Sequence, residues 1–197
     1  MSTEKNKLNW AFLCSFWGRN AKDTLKAYNK GAFPKSTIKL VIYEKKICGA
    51  AEEAKKQGIE TLFVDPKDFK DQVTYQAHLL EAMKQREVTH IFMMGYQYLI
   101  REAILHAYPN RIVNIHPSLF PSFLATKTAI QDALAYGVKV TGITTHIIDE
   151  HFDRGHILQQ VPIRIQEGDT FESLGPTFRK KGKKIIAETI QYIEQNH

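Results

Sequence analysis

The chain has 197 residues, 43% hydrophobic and 24% charged, which suits one globular domain with a proper core and excludes a disordered or low-complexity protein. Its formal net charge of +6 sits largely in two runs, Lys45-Lys46 and Arg179 to Lys184; these read as solvated surface, since no zinc finger, RNA-stacking motif or helix-turn-helix accompanies them. No stretch approaches a membrane span, no signal peptide precedes the first apolar run, and Cys14 and Cys48 alone make neither a disulfide framework nor a cysteine zinc site, so a reduced, cytoplasmic setting is expected.

In chain order, Asn9 to Cys14 (NWAFLC) reads as a buried strand ending in the turn Ser15-Phe16-Trp17-Gly18-Arg19-Asn20. A helix with Leu25 and Tyr28 on one face follows, closed by Gly31 and Pro34. Ile38 to Tyr43 is a second strand, Gly49 to Lys56 an alanine-rich helix stopped by Gly58, and Thr61 to Val64 a short third strand before the turn at Asp65-Pro66. Val73 to Arg86 reads as a helix and His90 to Met94 as a fourth strand ended by Gly95. This alternation predicts right-handed crossovers and a parallel sheet covered on both faces, with ligands at the carboxyl ends of the strands.

A fifth strand follows, and Thr128 to Ala135 reads as a helix with Gly137 just beyond it. Val140 to Ile148 and Ile157 to Ile165 are β-rich and flank a polar loop, Asp149 to Gly155. Thr170 to Gln195 reads as a long charged helix interrupted at Gly175-Pro176. The expected fold is α/β: a mostly parallel Rossmann-like sheet with helices on both faces and a β-rich C-terminal half. One domain is expected over residues 1–197, with a nucleotide-binding-like half at about 8–110 and a second half at about 111–197.

The most chemical stretch is Arg111 to Phe123, RIVNIHPSLFPSF. Pro117 and Pro121 end the strand and force an irregular loop. Residues i and i+2 of a strand share a side, so Asn114 and His116 aim together beyond the strand end. One brings an amide, the other an imidazole that changes charge near neutral pH, a pair suited to holding an oxyanion and moving a proton. The later loop DEHFDRGH, Asp149 to His156, preceded by His146, has three readings. It is surface loop chemistry, or a metal site drawn from His146, His151, Asp153 and His156, or a source of acid/base partners for His116. No zinc spacing such as HExxH is present.

NIHPSLFPSF, followed by KVTGITTHIIDEHFDRGHILQQ, resembles the folate-dependent formyltransferases, most closely the phosphoribosylglycinamide (GAR) type, over roughly Leu8 to Ile190. The resemblance implies the formyltransferase fold, 10-formyltetrahydrofolate as formyl donor, no metal, and transfer to a primary amine, with GAR the leading acceptor. It assigns Asn114, His116 and Asp153 as the catalytic group. Asp153 is preferred to Asp149 because the family's aspartate stands seven residues after the strand histidine, here His146, and is followed by x-Gly, here Arg154-Gly155. Asn114 and His116 would donate to the oxyanion of the tetrahedral intermediate. His116 would also serve as acid, and Asp153 would support it and relay the amine proton. The same resemblance places Gly18, Arg19, Asn20 and Ser118 against the acceptor, and Tyr96, Gln97, Tyr98, Leu99, Asp149 and Gly155 against the folate. Small molecules are the expected partners, with neither nucleic acid nor membrane, for a monomer or homodimer.

Four places depart from the GAR pattern, the mildest being Met94 to Ile100 (MGYQYLI) in place of a Met-Arg-Ile-Leu type run at the pterin pocket, which works largely through backbone groups and apolar walls. Phe16 and Arg19 replace the first glycine and the serine of a Gly-x-Gly-Ser-Asn phosphate loop; Arg19 offers a charged fork instead, and packing is the expected use of Phe16 and Trp17. Gly182 stands where the family has a glutamate for the ribose hydroxyls, and Leu124 to Lys127 replaces Pro-Gly-x-His. The competing functions are formylation of a nucleotide-linked amino sugar, hydrolytic release of formate, and a degenerate homologue that binds folate without turnover.

Overall fold

The computed structural model describes residues 7–150, 153 and 155–196. Five apolar runs form the parallel part of the sheet: β1 (Leu8–Cys14), β2 (Ser36–Tyr43), β3 (Glu60–Phe63), β4 (His90–Met93) and β5 (Ile112–His116). The central β1 and β4 are buried along nearly their whole length, as strands covered on both faces must be, whereas the edge strand β3 has no buried residue. Two further strands, β6 (Val140–Ile147) and β7 (Ile157–Arg164), add antiparallel at the β5 edge. The single seven-stranded sheet has the order β3-β2-β1-β4-β5-β6-β7.

Alternation along β1 divides the core. Leu8, Trp10, Phe12 and Cys14 face α1 (Arg19–Tyr28), α2 (Gly49–Lys56) and the C-terminal part of the last helix, meeting Leu25, Ala50 and Ile186. Ala11 and Leu13 face the other way, towards Tyr75, Leu79 and Met83 of α3 (Gln72–Lys84) and Ile104 of α4 (Glu102–Ala107). Because β1 pairs with both β2 and β4, successive crossovers leave it in opposite directions. The carboxyl ends of β1 and β4 therefore frame a crevice, the usual ligand position of such sheets.

The expected α/β architecture is the one observed, with strand and helix limits shifted by one or two residues. Two differences are informative. The helix α4 was not anticipated, because six residues with a single fully buried position, Ile104, carry no readable period. The expected interruption at Gly175-Pro176 does not occur: α6 (Phe171–Asn196) is one helix of 26 residues with Pro176 inside it. Leu174, Phe178 and Ile185 bury a continuous stripe against Ile143 and Ile163, while Glu172, whose carbonyl loses its partner, lies exposed where water can satisfy it. The remaining helix, α5 (Ala129–Tyr136), closes on Gly137 in the left-handed conformation. Among the described residues no helix is long and apolar enough to cross a membrane. Lys45, Lys46 and most of the Arg179 to Lys184 run are exposed, in keeping with solvated surface.

Candidate active site

β5 ends at His116, the residue before Pro117, so Asn114 and His116 are the last two side chains on one side of that strand. Its antiparallel register with β6 sets Asn114 opposite His146 and His116 opposite Thr144. The amide nitrogen of Asn114 lies 3.2 Å from Nε2 of His146, whose Nδ1 lies 3.0 Å from the Ile147 carbonyl oxygen. His146 is 1% exposed, and this burial pushes its pKa below the ordinary imidazole value, although the nearby Asp153 carboxylate opposes the shift. A neutral ring must donate from Nδ1 to the carbonyl, which leaves Nε2 as the acceptor of the Asn114 amide.

Asp153 closes the group from the loop after β6. Its Oδ2 lies 3.4 Å from Nδ1 of His116 and accepts the Ala125 N–H at 3.0 Å, and its Oδ1 lies 3.5 Å from Nε2 of His146. His116 donates from Nε2 to the Phe123 carbonyl at 2.9 Å, so both its ring nitrogens are engaged. The Phe120 ring lies against both imidazoles, at centroid distances of 5.3 Å to His116 and 4.8 Å to His146. Phe123, Ala125 and Asp153 all adopt positive φ, near 52° to 55°. Strained backbone thus gathers in the two loops that clasp His116.

Asn114, His146 and Asp153 form the inner end of a cavity of about 550 Å³. Met93, Tyr96, Tyr98, Leu99 and Ile100 supply its apolar and aromatic wall, and Asp149 its polar rim. Of the residues expected against the folate, Tyr96, Tyr98, Leu99 and Asp149 line this cavity. Gln97 does not: its backbone N–H is bound to Ser15 Oγ at 3.0 Å and its side chain to the Gly95 carbonyl. Gly155 is buried beneath the β6 end, where a Cβ would collide with the Ile147 carbonyl oxygen, so its place is structural rather than on the cavity wall. Arg101, which caps α4, and Glu102, Leu105 and His106 within it also line the cavity and were not expected there, because the short α4 carries no readable period. The 99–101 segment is braced by buried Gln76, which donates to the Leu99 carbonyl and accepts the Arg101 N–H at 2.7 Å. Burial raises the Tyr75 phenol to about 12 and also pushes up Tyr96, whose hydroxyl contacts that of Tyr75, so both stay neutral.

The loop after β1 and the first turn of α1 carry Gly18, Arg19 and Asn20, expected against the acceptor, and none of them lines this cavity. Gly18 caps α1 at φ 66°, and a Cβ there would come within 2.7 Å of the Ala50 Cβ and 2.9 Å of the Cys14 Sγ, so only glycine fits. Arg19 opens α1 exposed, Asn20 is half-buried, and a Cβ at buried Gly182 would lie in ordinary contact with the Asn20 side-chain oxygen at 3.9 Å and with Ile143 at 3.7 Å. Trp17 packs against Gly49 with the Lys22 ammonium 5.1 Å from its ring centre, as packing predicted. Phe16 does not pack: it is 59% exposed. Ser118, expected against the acceptor, is fully enclosed and donates to the Ser122 carbonyl at 2.7 Å, so its hydroxyl is spent inside the loop.

The metal reading finds no support: among the described residues no group of three or more His, Cys, Asp or Glu is arranged to hold an ion. His146 and Asp153 come together with Asn114 and His116 instead, His156 is exposed, and His151 lies outside the described residues.

Comparison with known proteins agrees with the fold. The phosphoribosylglycinamide formyltransferase of Bacillus subtilis is 34% identical over 154 residues, 78% of each chain. Glycinamide ribonucleotide transformylase 1 from Symbiobacterium toebii superposes with a TM-score of 0.92 at 31% identity, over 98% of this chain and 90% of that one. Phosphoribosylglycinamide formyltransferase from Bacillus halodurans does so with a TM-score of 0.88 at 31% identity, over 94% of each. The formyl transferase family model matches residues 8–190, a span that includes every strand and the lining of the cavity, and the chain belongs to the formyl transferase family.

Proposed function

We propose that this chain transfers the formyl group of 10-formyltetrahydrofolate to the primary amine of GAR, a step of purine biosynthesis, in the cytoplasm. The observation that carries the reading is the meeting of Asn114 and Asp153 at a cavity of about 550 Å³, with His116, which does not itself line the cavity, held 3.4 Å from the Asp153 carboxylate. The Tyr96, Tyr98 and Leu99 wall suits a flat heteroaromatic donor, and the amide-like formyl group then meets Asn114. The first helical turn of α1, with Gly18, Arg19 and Asn20, would receive the acceptor's phosphate. We read the whole chain as one formyltransferase domain, since a single sheet runs through both halves.

Attack by a neutral amine on the formyl carbon places negative charge on its oxygen and a surplus proton on the nitrogen. Asn114 gives one amide hydrogen to His146 and keeps the other for that oxygen. Asp153 takes the amine proton. His116 supplies the proton for the leaving nitrogen once the Phe123 carbonyl releases its Nε2, which requires the loop between Pro117 and Thr128 to shift.

The test is an acceptor panel. Tetrahydrofolate release should occur with GAR and not with water alone. Turnover with an amino-sugar nucleotide but none with GAR would overturn the acceptor; formate release without any amine would replace transfer by hydrolysis.

A further inference from the structure

The chain's two cysteines are 34 positions apart, yet their sulfurs touch at 4.0 Å, buried beneath the Trp17-Gly18 turn that leads into Arg19 and Asn20 of α1. Cys14 is the last residue of β1, and Cys48 immediately precedes α2. Neither has a part in formyl transfer. We propose that Cys14 and Cys48 form an oxidative modification site, a dithiol that a small hydroperoxide converts to an intrachain disulfide and that thereby sets the shape of the acceptor loop.

Three features support this assignment. The first is geometric: the end of β1 and the start of α2 already hold the two sulfurs in contact at 4.0 Å, from which they must close to the bonding distance of about 2.05 Å. The second is an asymmetry between the thiols. Cys14 points its sulfur at Cys48 and at the Ile42 carbonyl, whereas Cys48 also meets the backbone N–H groups of Ala50 and Ala51 at the start of α2. The hydrogen bond from Cys14 and those N–H groups draw the Cys48 thiol below its ordinary value against burial and the Glu44 charge, and the same contact pushes Cys14 up. The place of Cys48 at the start of α2, where the helix N-terminus favours a thiolate, makes it the attacking sulfur, and Cys14 at the end of β1 the resolving one. The third is the cover. Gly18 has no side chain and sits where a Cβ would be 2.9 Å from one sulfur and 3.3 Å from the other; the Trp17 carbonyl lies 3.8 Å from the Cys48 sulfur. The pair is thus held directly under the Trp17-Gly18 backbone, and a sulfur that moves must move that loop.

The step balances as follows. The Cys48 thiolate attacks one peroxide oxygen, the O–O bond breaks, hydroxide leaves, and Cys48 becomes a sulfenic acid. The Cys14 sulfur then attacks the Cys48 sulfur, the S–O bond breaks as the S–S bond forms, and the Cys14 proton leaves with the hydroxide as water. Two thiols are oxidised and one peroxide is reduced to two waters. At 2% exposure Cys48 admits a small hydroperoxide more readily than a bulky disulfide.

The full chain treated with hydrogen peroxide should lose both titratable thiols and the mass of two hydrogen atoms while staying monomeric on a non-reducing gel, and dithiothreitol should reverse the change. Cys14→Ser should gain oxygen at Cys48 without closing a disulfide, and Cys48→Ser should resist oxidation; alanine replaces serine at either site if serine does not fold. Persistence of two free thiols, cross-linking between chains, or oxidation of Cys48→Ser at the wild-type rate would each overturn the site. Its effect on the loop rests on the formyl transfer reading: the acceptor KM should rise severalfold in the oxidised enzyme and not in the peroxide-treated double variant Cys14→Ser/Cys48→Ser. A disulfide that forms without altering that KM would overturn the control of the loop. Absence of turnover in the reduced enzyme would instead refute formyl transfer and leave the mass measurement standing.

Discussion

Nε2 of His146 accepts the side-chain amide of Asn114 at 3.2 Å, and this contact decides which way the Asn114 amide faces. An asparagine side chain is nearly symmetric in shape but not in chemistry: flipped, it would turn its carbonyl oxygen to His146. The neutral His146 ring, held by its Nδ1–H bond to the Ile147 carbonyl, presents only a lone pair to Asn114 and so selects the orientation with nitrogen towards it. A donor is thereby fixed at the inner end of the cavity before any substrate arrives.

Asn114→Ala should lower kcat for formyl transfer on the order of a hundredfold, the usual cost of one oxyanion donor, with little change in either KM. His146→Ala should act in the same direction through Asn114, by about tenfold, the worth of one net hydrogen bond. His146→Gln, whose carbonyl oxygen can accept the same N–H, should recover part of that loss. Equal activity of His146→Ala and wild type in steady-state kinetics would refute the orienting role.

Burial lowers the pKa of His146 in the folded chain, so between that value and the unfolded value of about 6.5 the unfolded chain binds more protons. Stability from this residue is complete above about pH 6.5 and is lost as pH falls towards and through the folded value, by up to about 1.4 kcal/mol per pH unit. Urea denaturation between about pH 7.5 and 5.5 should show a steeper fall for wild type than for His146→Gln.

Gln76 lies on α3 and touches no expected ligand, yet it spans the Leu99 carbonyl and the Arg101 N–H in the cavity wall. Gln76→Leu conserves volume and leaves both backbone groups unpaired, at a cost of about 1–3 kcal/mol each where water cannot reach. The expected result is a donor KM raised severalfold with kcat nearly constant, together with a lower urea midpoint. An unchanged donor KM would detach this brace from folate binding.

At Gly18 the backbone is left-handed and the space is filled, so Gly18→Ala combines strain of about 1–2 kcal/mol with overpacking of about 1–3 kcal/mol against Ala50 and Cys14. Thermal unfolding should shift down by several degrees. The acceptor KM should rise more than the donor KM, since the displaced loop leads into Arg19 and Asn20. Equal rises in both would place the damage in the fold as a whole.

What the residues themselves determined is local. Apolar runs punctuated by glycine and proline specified the strands, the helices that cover them and the α/β class. Pro117 ended β5 and so put Asn114 and His116 on one side at its tip. The spacing from His146 to Asp153, read through the family resemblance, supplied the third member, and the structure brings it to His116. What only the tertiary structure decided are relations between residues distant in sequence. The β5–β6 register placed His146 opposite Asn114, 32 positions away, and so gave a strand histidine an orienting role. Ser118, two residues after His116 in sequence, turned inward and donates to the Ser122 carbonyl. His106 entered the cavity wall on a helix too short to show a period, and Arg101 just before it is braced by Gln76 of α3. Cys14 and Cys48 met because parallel pairing of β1 and β2 brings the end of one strand to the start of the helix after the other. Periodicity records which face of an element is buried; it carries nothing about what lies opposite that face, and that is fixed only when strand order and register are.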